Sequence, residues 1–465
     1  MSYSSAVAAL YALGHELGKP RKFDLQYMVK LAAALGNPQR RFPSVLVAGT
    51  NGKGSTSATL ASILHTAGYR TALYTSPHLL RINERIQIDG ESISDPEFAE
   101  IYERVETEGR KLVASGALPI TPSFFEMLTA MAFEYFASAG VDIAVLEVGM
   151  GGRLDATNIS DPCISVITDV ALDHQQYLGN TISEIATEKA GIIRPNGVLV
   201  TLPQHPEAND AIGRIAVERN ARGVSATQYV PNVTPGAARF DHLRPTATQL
   251  GQFLRTRYFL EVMGEEILIE TPLVGRHQLR NTALAIAAAE ELNNCGFTIT
   301  AQQIASGIRE TYWPGRFQLI PGPTGTPDFI LDVAHNPAGA WALRSALSEH
   351  FADSDDETKA TPPITIIFGA MRDKAVAEMA QILFPLADCV IATHADSPRA
   401  ATTDELRELA GAAGSEMLAE PTVAKAIARA RAVTPNNGVV VITGSIYIVG
   451  EAFGILQNQT KSASL

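Results

Sequence analysis

Short apolar runs that alternate with helix-length segments predict an α/β protein built on mostly parallel sheet, in more than one domain. Three observations carry this reading. The alternation occurs twice, once between residues 44 and 191 and again between 328 and 443. A glycine-rich turn bearing a lysine joins the first apolar run to a helical segment. The chain has 465 residues, 46% of them hydrophobic and 18% charged, which is more than one ordinary core organises.

In chain order, residues 24–35 suit a helix, and Ser44–Ala48 is an apolar run suited to a buried strand. After the glycine turn, 57–64 is helical in pattern, and Thr71–Tyr74 is the next strand. Residues 124–137 follow as a helix, then strands at Ile143–Glu147 and 164–168, then a helix at 182–191. From 204 to about 270 the chain turns polar and rich in Pro and Thr, with alternation near Tyr258. That stretch predicts loops and antiparallel strands decorating the first domain. Trp313-Pro314-Gly315-Arg316 opens the second pattern, with strands at 328–332, Ile364–Phe368, Cys389–Ala392 and 438–443. The domains are therefore expected at 1–315 and 316–465. The acidic, proline-ended run at 353–363 suits a surface loop.

A net charge of −12 leaves no excess of Lys and Arg to neutralise nucleic acid or an anionic membrane surface. The N-terminal residues lack a basic stretch followed by an apolar one, and no apolar run is long enough to span a bilayer, so a cytoplasmic protein is expected. Cys163, Cys295 and Cys389 are far apart with no CxxC pair. They suit buried thiols in a reducing compartment better than a disulfide frame or a zinc site.

The candidate chemistry starts at Gly49-Thr50-Asn51-Gly52-Lys53-Gly54-Ser55-Thr56. Glycines admit backbone N–H groups close to phosphate oxygens, a helix N-terminus favours an anion, and Lys53 adds charge. The spacing departs from the common P-loop, which places four residues between its first Gly and Gly-Lys. Glu147 ends an apolar strand, as a Mg²⁺-holding carboxylate does in nucleotide enzymes, and a glycine loop carrying Arg153 and Asp155 follows it. Asp173-His174 lies beyond another strand; His174 is equally a structural residue or a ligand, since Mg²⁺ prefers oxygen. Lys189 sits among small and apolar residues, where a lysine is either a solvated charge or, if buried, a reactive amine. His277 and Asn281 are one helical turn apart, Arg316 lies at the domain boundary, and Asp332-Val333-Ala334-His335-Asn336-Pro337 ends a strand. Each of these also suits a capping or packing role.

Together these strings, with Ser76-Pro77-His78-Leu79-Leu80-Arg81 and Gly444-Ser445-Ile446-Tyr447, resemble the folate branch of the Mur ligase superfamily, the dihydrofolate synthases/folylpolyglutamate synthases. The resemblance covers nearly the whole chain, and the unusual glycine-loop spacing is that family's own. It implies an N-terminal P-loop ATPase domain with a central, mostly parallel sheet, a smaller C-terminal Rossmann-like domain, and an active site between them. It implies an ATP-dependent ligase that adds L-glutamate to 7,8-dihydropteroate or to reduced folates through an acyl phosphate. Thr50, Asn51, Gly52, Lys53, Asn281, Arg316 and Asp332 are then the ATP contacts, and Ser76, Glu147 and His174 the ligands of Mg²⁺, with two ions expected. Lys189 matches a lysine that the family carbamoylates. Ser123, Phe124, Phe125, Glu126, Leu154, Asp155 and Ala156 match the pterin side, while His335 and Ser445 fall where glutamate binds. Lys53, Lys189 and His335 are the catalytic candidates. A monomer is expected. Two alternatives stand beside this reading: a Mur-type ligase acting on a cell-wall precursor, and a non-catalytic nucleotide switch.

Overall fold

The computed structural model describes residues 1–14, 24–232, 254–323, 325–351, 362–414 and 416–463. They divide into two compact units: Met1–Pro231 with Phe259–Ile269 and Arg280–Thr311, and Tyr312–Leu465 with Glu270–Leu279 and the described part of Asn232–Tyr258.

The first unit is built on eight strands: β1 (Ser44–Ala48), β2 (Thr71–Tyr74), β3 (Ile86–Ile88), β4 (Glu91–Ser92), β5 (Ile143–Glu147), β6 (Ile164–Ile167), β7 (Val198–Thr201) and β8 (Arg222–Ser225). Their order across the sheet is β4-β3-β2-β5-β1-β6-β7-β8. All neighbours from β2 to β8 pair in parallel; β3 and β4 form an antiparallel edge. Every residue of β1, β2, β5 and β6 is buried. Helices cover both faces of such strands, which is why the sequence shows unbroken apolar runs and no alternation. Parallel pairing also sends the C-terminal ends of β2, β5, β1 and β6 to one edge, so the segments after Tyr74, Glu147, Ala48 and Ile167 emerge side by side.

A hairpin of β9 (Thr256–Val262) and β10 (Glu265–Thr271) follows, turning at Met263 and Gly264, both at positive φ. The second unit holds β11 (Gln318–Ile320), β12 (Asp328–Leu331), β13 (Ile364–Phe368), β14 (Cys389–Ala392), β15 (Leu418–Ala419) and β16 (Val439–Thr443) in the order β11-β12-β16-β13-β14-β15. Only β11 is antiparallel. Its own core gathers Phe329's neighbour Ile330, Ile366, Phe368, Met379 and Val441. The α/β class and the mostly parallel main sheet are thus as expected.

Three local expectations change. The helix after the glycine turn spans Lys53–Thr66, so it starts at Lys53 and not near Ser57; Gly52, left-handed at φ 88°, is its cap. The 204–270 stretch is not only loop and antiparallel strand. It contains the helix Pro206–Glu218 and the parallel strand β8. Proline at the first helical position and the buried spacing Ala208, Ala211, Ile212, Ile215 explain that helix. The thiols are not buried as a set, because Cys295 is exposed and Cys163 and Cys389 are half-buried. The polar run at 353–363 and the middle of the 204–270 stretch lie largely outside the described residues.

Candidate active site

The loop between β1 and the helix Lys53–Thr66 is held against the segment that follows β6. Thr50 and Asn51 donate their backbone N–H groups to the Asp169 carbonyl, at 2.7 and 3.2 Å. The Thr50 hydroxyl donates to the Ala171 carbonyl at 3.0 Å, and the Thr168 hydroxyl lies 2.8 Å from the Asn51 carbonyl. Two glycines are required by contact. A Cβ on Gly49 would sit 1.8 Å from the Thr168 hydroxyl oxygen, and one on Gly52 would sit 2.2 Å from Asn281 Oδ1. Asn281, on the helix Arg276–Leu292, is thereby brought against the loop, and its carbonyl lies 3.4 Å from the Thr56 hydroxyl. The opening N–H groups of the helix Lys53–Thr66 have no partner one turn back, as at any helix start.

Two lysines converge on the same loop. Lys53 Nζ donates to the Thr50 carbonyl at 3.1 Å, and Lys189 Nζ, from the helix Ile182–Ala190, donates to the Gly49 carbonyl at 2.8 Å. Lys189 is 3% exposed. Burial, and after it the positive charge of Lys53, pushes its pKa down to about 7, while Asp173 and Asp155 act in the opposite sense. A solvated charge is therefore ruled out for Lys189. Asp155 is itself buried, and accepts from the Thr157 hydroxyl at 2.5 Å and from the N–H groups of Thr157 and Met150 at 3.0 Å. Burial pushes its carboxyl up despite those bonds.

On the neighbouring strand ends, the Ser76 N–H donates to Glu147 Oε2 at 3.1 Å, and Glu147 is buried. His174 follows β6 and adopts a left-handed backbone at φ 50°, its N–H donating to Asp173 Oδ1 at 2.8 Å. Ser76, Glu147 and His174 are thus carried at one edge by strands of one sheet.

The residues expected on the pterin side have structural work as well. Ser123 and Glu126 cap the helix Phe124–Ala139 reciprocally, with the Ser123 N–H to Glu126 Oε2 at 2.7 Å. Phe124 is core, stacked on Tyr11 at 5.3 Å with the Arg85 guanidinium over its face. Phe125 is half-buried and lies over Gly149, where a Cβ would meet its Cζ at 2.5 Å. Leu154 is half-buried and Ala156 buried.

In the second unit, Asp332 immediately follows β12 and accepts the N–H groups of Phe317 and Ala334, both at 2.9 Å. Burial pushes its carboxyl up, against Arg316 and those two bonds. Arg316 lies over the Trp313 ring at 6.0 Å, and its charge joins burial in pushing His277 down to about 4. His335 Nδ1 is 2.9 Å from the Val333 carbonyl. A carbonyl only accepts, so Nδ1 carries the proton and Nε2 is the basic nitrogen. The neighbouring strand end is drawn in: the Gly444 N–H donates to the Ala334 carbonyl at 3.0 Å, which places Ser445, buried at the start of the helix Ile446–Ala463, beside the His335 segment.

Sequence reasoning missed Thr168, Asp169 and Gln204. Gln204 Nε2 donates to the Thr168 carbonyl at 2.9 Å and its Oε1 accepts from the Val170 N–H at 2.8 Å, bracing the segment on which the loop rests. No local signal marks such a brace, because its partners are distant in sequence.

Residues 47–289 match the Mur ligase middle domain, and residues 315–446 match the Mur ligase glutamate ligase domain. The dihydrofolate synthase/folylpolyglutamate synthase of Bacillus subtilis is 34% identical over 433 residues, covering 92% of this chain and 94% of that one. A Mycobacterium tuberculosis folylpolyglutamate synthase solved with ADP superposes with a TM-score of 0.82 at 31% identity, over 97% of this chain and 99% of that one. Escherichia coli FolC, solved with DHPP and ADP, gives 0.80 at 29% identity over 99% of each chain. This chain belongs to the Mur ligase family, in the branch of the dihydrofolate synthases/folylpolyglutamate synthases.

Proposed function

We propose that this chain is an ATP-dependent ligase joining L-glutamate to 7,8-dihydropteroate and to reduced folates, with release of ADP and phosphate. The observation that carries the reading is the cradle at Gly49–Lys53: two glycines at van der Waals limit against Thr168 and Asn281, and two lysines on the loop carbonyls. Similarity over 92% of this chain to the B. subtilis enzyme, and the matched glutamate ligase domain, favour this reading over a cell-wall ligase or a nucleotide switch.

A carboxylate and an amine do not condense in water without activation. In this reading the acceptor carboxylate attacks the γ-phosphate of ATP, forming an acyl phosphate and ADP. The amine of glutamate then attacks the acyl carbon, and phosphate leaves. Positioning and charge stabilisation supply most of the rate in such transfers. Thr50, Asn51, Gly52 and Lys53 would line the phosphates, with Asn281, Arg316 and Asp332 completing the ATP site. His335 Nε2 would take the proton from the glutamate ammonium. Ser123, Phe124, Phe125, Glu126, Leu154, Asp155 and Ala156 would border the pterin, and Ser445 the glutamate.

The donor set fits Mg²⁺. Ser76 and Glu147 offer a hydroxyl and a carboxylate from adjacent strand ends, the oxygen donors a hard cation takes, with His174 as a third ligand. Among the described residues no cluster of three His, Cys, Asp or Glu forms a cation site, so the Ser76 hydroxyl is needed to complete it. Bound there, Mg²⁺ would neutralise charge on the phosphates, and two ions are expected. Lys189 fits carbamoylation: its amine is buried with a pKa pushed down to about 7, and only the neutral amine adds CO₂, forming an N–C bond and releasing a proton.

The test is phosphate release from Mg-ATP and L-glutamate with 7,8-dihydropteroate, with tetrahydrofolate, or with no acceptor. Release with both acceptors is expected. Release with one alone makes the enzyme monofunctional, and release with neither overturns the folate reading.

A further inference from the structure

We propose that Gln204 and Arg280 are positioning residues for the nucleotide: through one bracket, Pro203–Gln204, they set the gap between the two walls that grip the glycine loop. The inference rests on reading that loop as the ATP site.

The bracket forms where pairing between two strands runs out. Ile167 of β6 and Thr201 of β7 are the last partners in register, and the Thr201 hydroxyl donates to the Ile167 carbonyl at 3.0 Å. Two residues further on stands Pro203, which has no N–H to continue a ladder. The side-chain amide of Gln204 takes the place of the missing peptide group. Its Nε2 donates to the Thr168 carbonyl at 2.9 Å, and its Oε1 accepts from the Val170 N–H at 2.8 Å. A carbonyl only accepts and an N–H only donates, so the amide has one orientation here. Asn209 holds the backbone of Gln204 in turn: its Oδ1 accepts the Gln204 N–H and its Nδ2 donates to the Gln204 carbonyl, both at 3.0 Å.

The helix Arg276–Leu292 is tied to the other side of the bracket. Arg280 donates to the Pro203 carbonyl at 2.8 Å, and the residue after it is Asn281. The two walls therefore meet the bracket at one end and the glycine loop at the other. Thr168 stands against Gly49 and Asn281 against Gly52, with no room for a Cβ at either contact. Between them, the Asp169 carbonyl carries the N–H groups of Thr50 and Asn51. Burial pushes the Asp169 carboxyl up, and the Arg280 charge acts against that, which keeps the two walls electrostatically joined as well. Opening either link lets the walls part, and the loop N–H groups lose their aim at the phosphates.

The test compares Gln204→Leu, Arg280→Met and the double variant by calorimetric titration with Mg-ADP and by steady-state kinetics. Gln204→Leu removes two hydrogen bonds, so the Kd for ADP and the KM for ATP should rise roughly tenfold, with the KM for glutamate unchanged. Arg280→Met removes one and should raise the Kd about fivefold. Because both act through one bracket, the double variant should be no weaker than Gln204→Leu alone. Ser165→Ala is the control: it loses the bond from the Ser165 hydroxyl to the Ile192 carbonyl, on β6 but away from the bracket. It should lower the thermal midpoint and leave the Kd for ADP as it was. The proposal is overturned if Gln204→Leu binds ADP as the wild type does, or if Ser165→Ala weakens ADP as much. It is equally overturned if the double variant shows the product of the single effects, which would mean two independent walls. ADP binding needs no folate, so a wild type that binds ADP but releases no phosphate with either acceptor overturns the folate reading and leaves this comparison intact.

Discussion

The two strand-end loops that carry the candidate chemistry satisfy their polar groups by opposite means. In the first unit, side-chain cations hold main-chain carbonyls: Lys53 on Thr50 and Lys189 on Gly49. In the second, main-chain N–H groups of Phe317 and Ala334 hold the Asp332 carboxylate. A lysine can leave a carbonyl for a phosphate by rotating its own side chain. Backbone donors cannot turn without rebuilding the loop. The first loop is therefore poised to exchange partners, and the second is a fixed frame. A prediction follows for each side: substitutions in the first should act on turnover, and those in the second on stability.

Lys53→Ala is the sharpest break. Loss of one charge-stabilising donor in a phosphoryl-transfer site costs on the order of 10²–10³ in rate, whereas the Lys53 side chain donates one bond to a loop carbonyl. Phosphate release should fall by that factor or more, with the thermal midpoint nearly unchanged. A variant with near-normal turnover would remove Lys53 from the chemistry. Asp332→Ala should differ in that it also lowers stability, leaving two N–H groups unpaired in a buried site. Each such donor costs about 1–3 kcal/mol. Urea unfolding should show the loss, and Asp332→Asn, which keeps an acceptor oxygen, should recover part of it.

The same contrast explains what could be read from the sequence. β1, β2, β5 and β6 were legible because strands buried on both faces are continuously apolar. Asp332 and His335 were legible as polar residues ending such a run. The helix start at Lys53 was not, because Gly52 reads as part of a flexible turn until its left-handed φ makes it a cap. Gln204 and Thr168 were invisible as site residues: their value lies in bonds across the sheet edge, which no local pattern encodes.

Gly52→Ala asks whether the first loop tolerates any change of shape. Its φ of 88° and a Cβ 2.2 Å from Asn281 Oδ1 both oppose alanine. The left-handed backbone alone costs about 1–2 kcal/mol. Adding Asn281→Ala removes the collision and leaves the backbone cost, so the double variant should be more stable than Gly52→Ala alone. Calorimetric titration should still find weak ATP binding, because the Asn281 amide is gone. If the single and double variants are equally stable, the close approach does not shape the loop.

His277 gives the smallest effect and the test nearest to the fixed frame. Burial, then the Arg316 charge, pushes its pKa from 6.5 down to about 4. The unfolded chain takes up this proton near pH 6.5 and the folded chain only near 4. Between those values the unfolded state binds more protons, so stability falls as pH falls. From pH 6.5 to 5.5 the loss from this one group is about 1 kcal/mol. His277→Gln should remove that slope from urea unfolding curves taken across the window. Arg316→Gln should only soften it, because burial is the larger cause. If the second variant abolishes the slope as fully as the first, charge and not burial governs this corner. Arg316 would then act on the frame itself, and the contrast between a poised loop and a fixed one would fail on the second side.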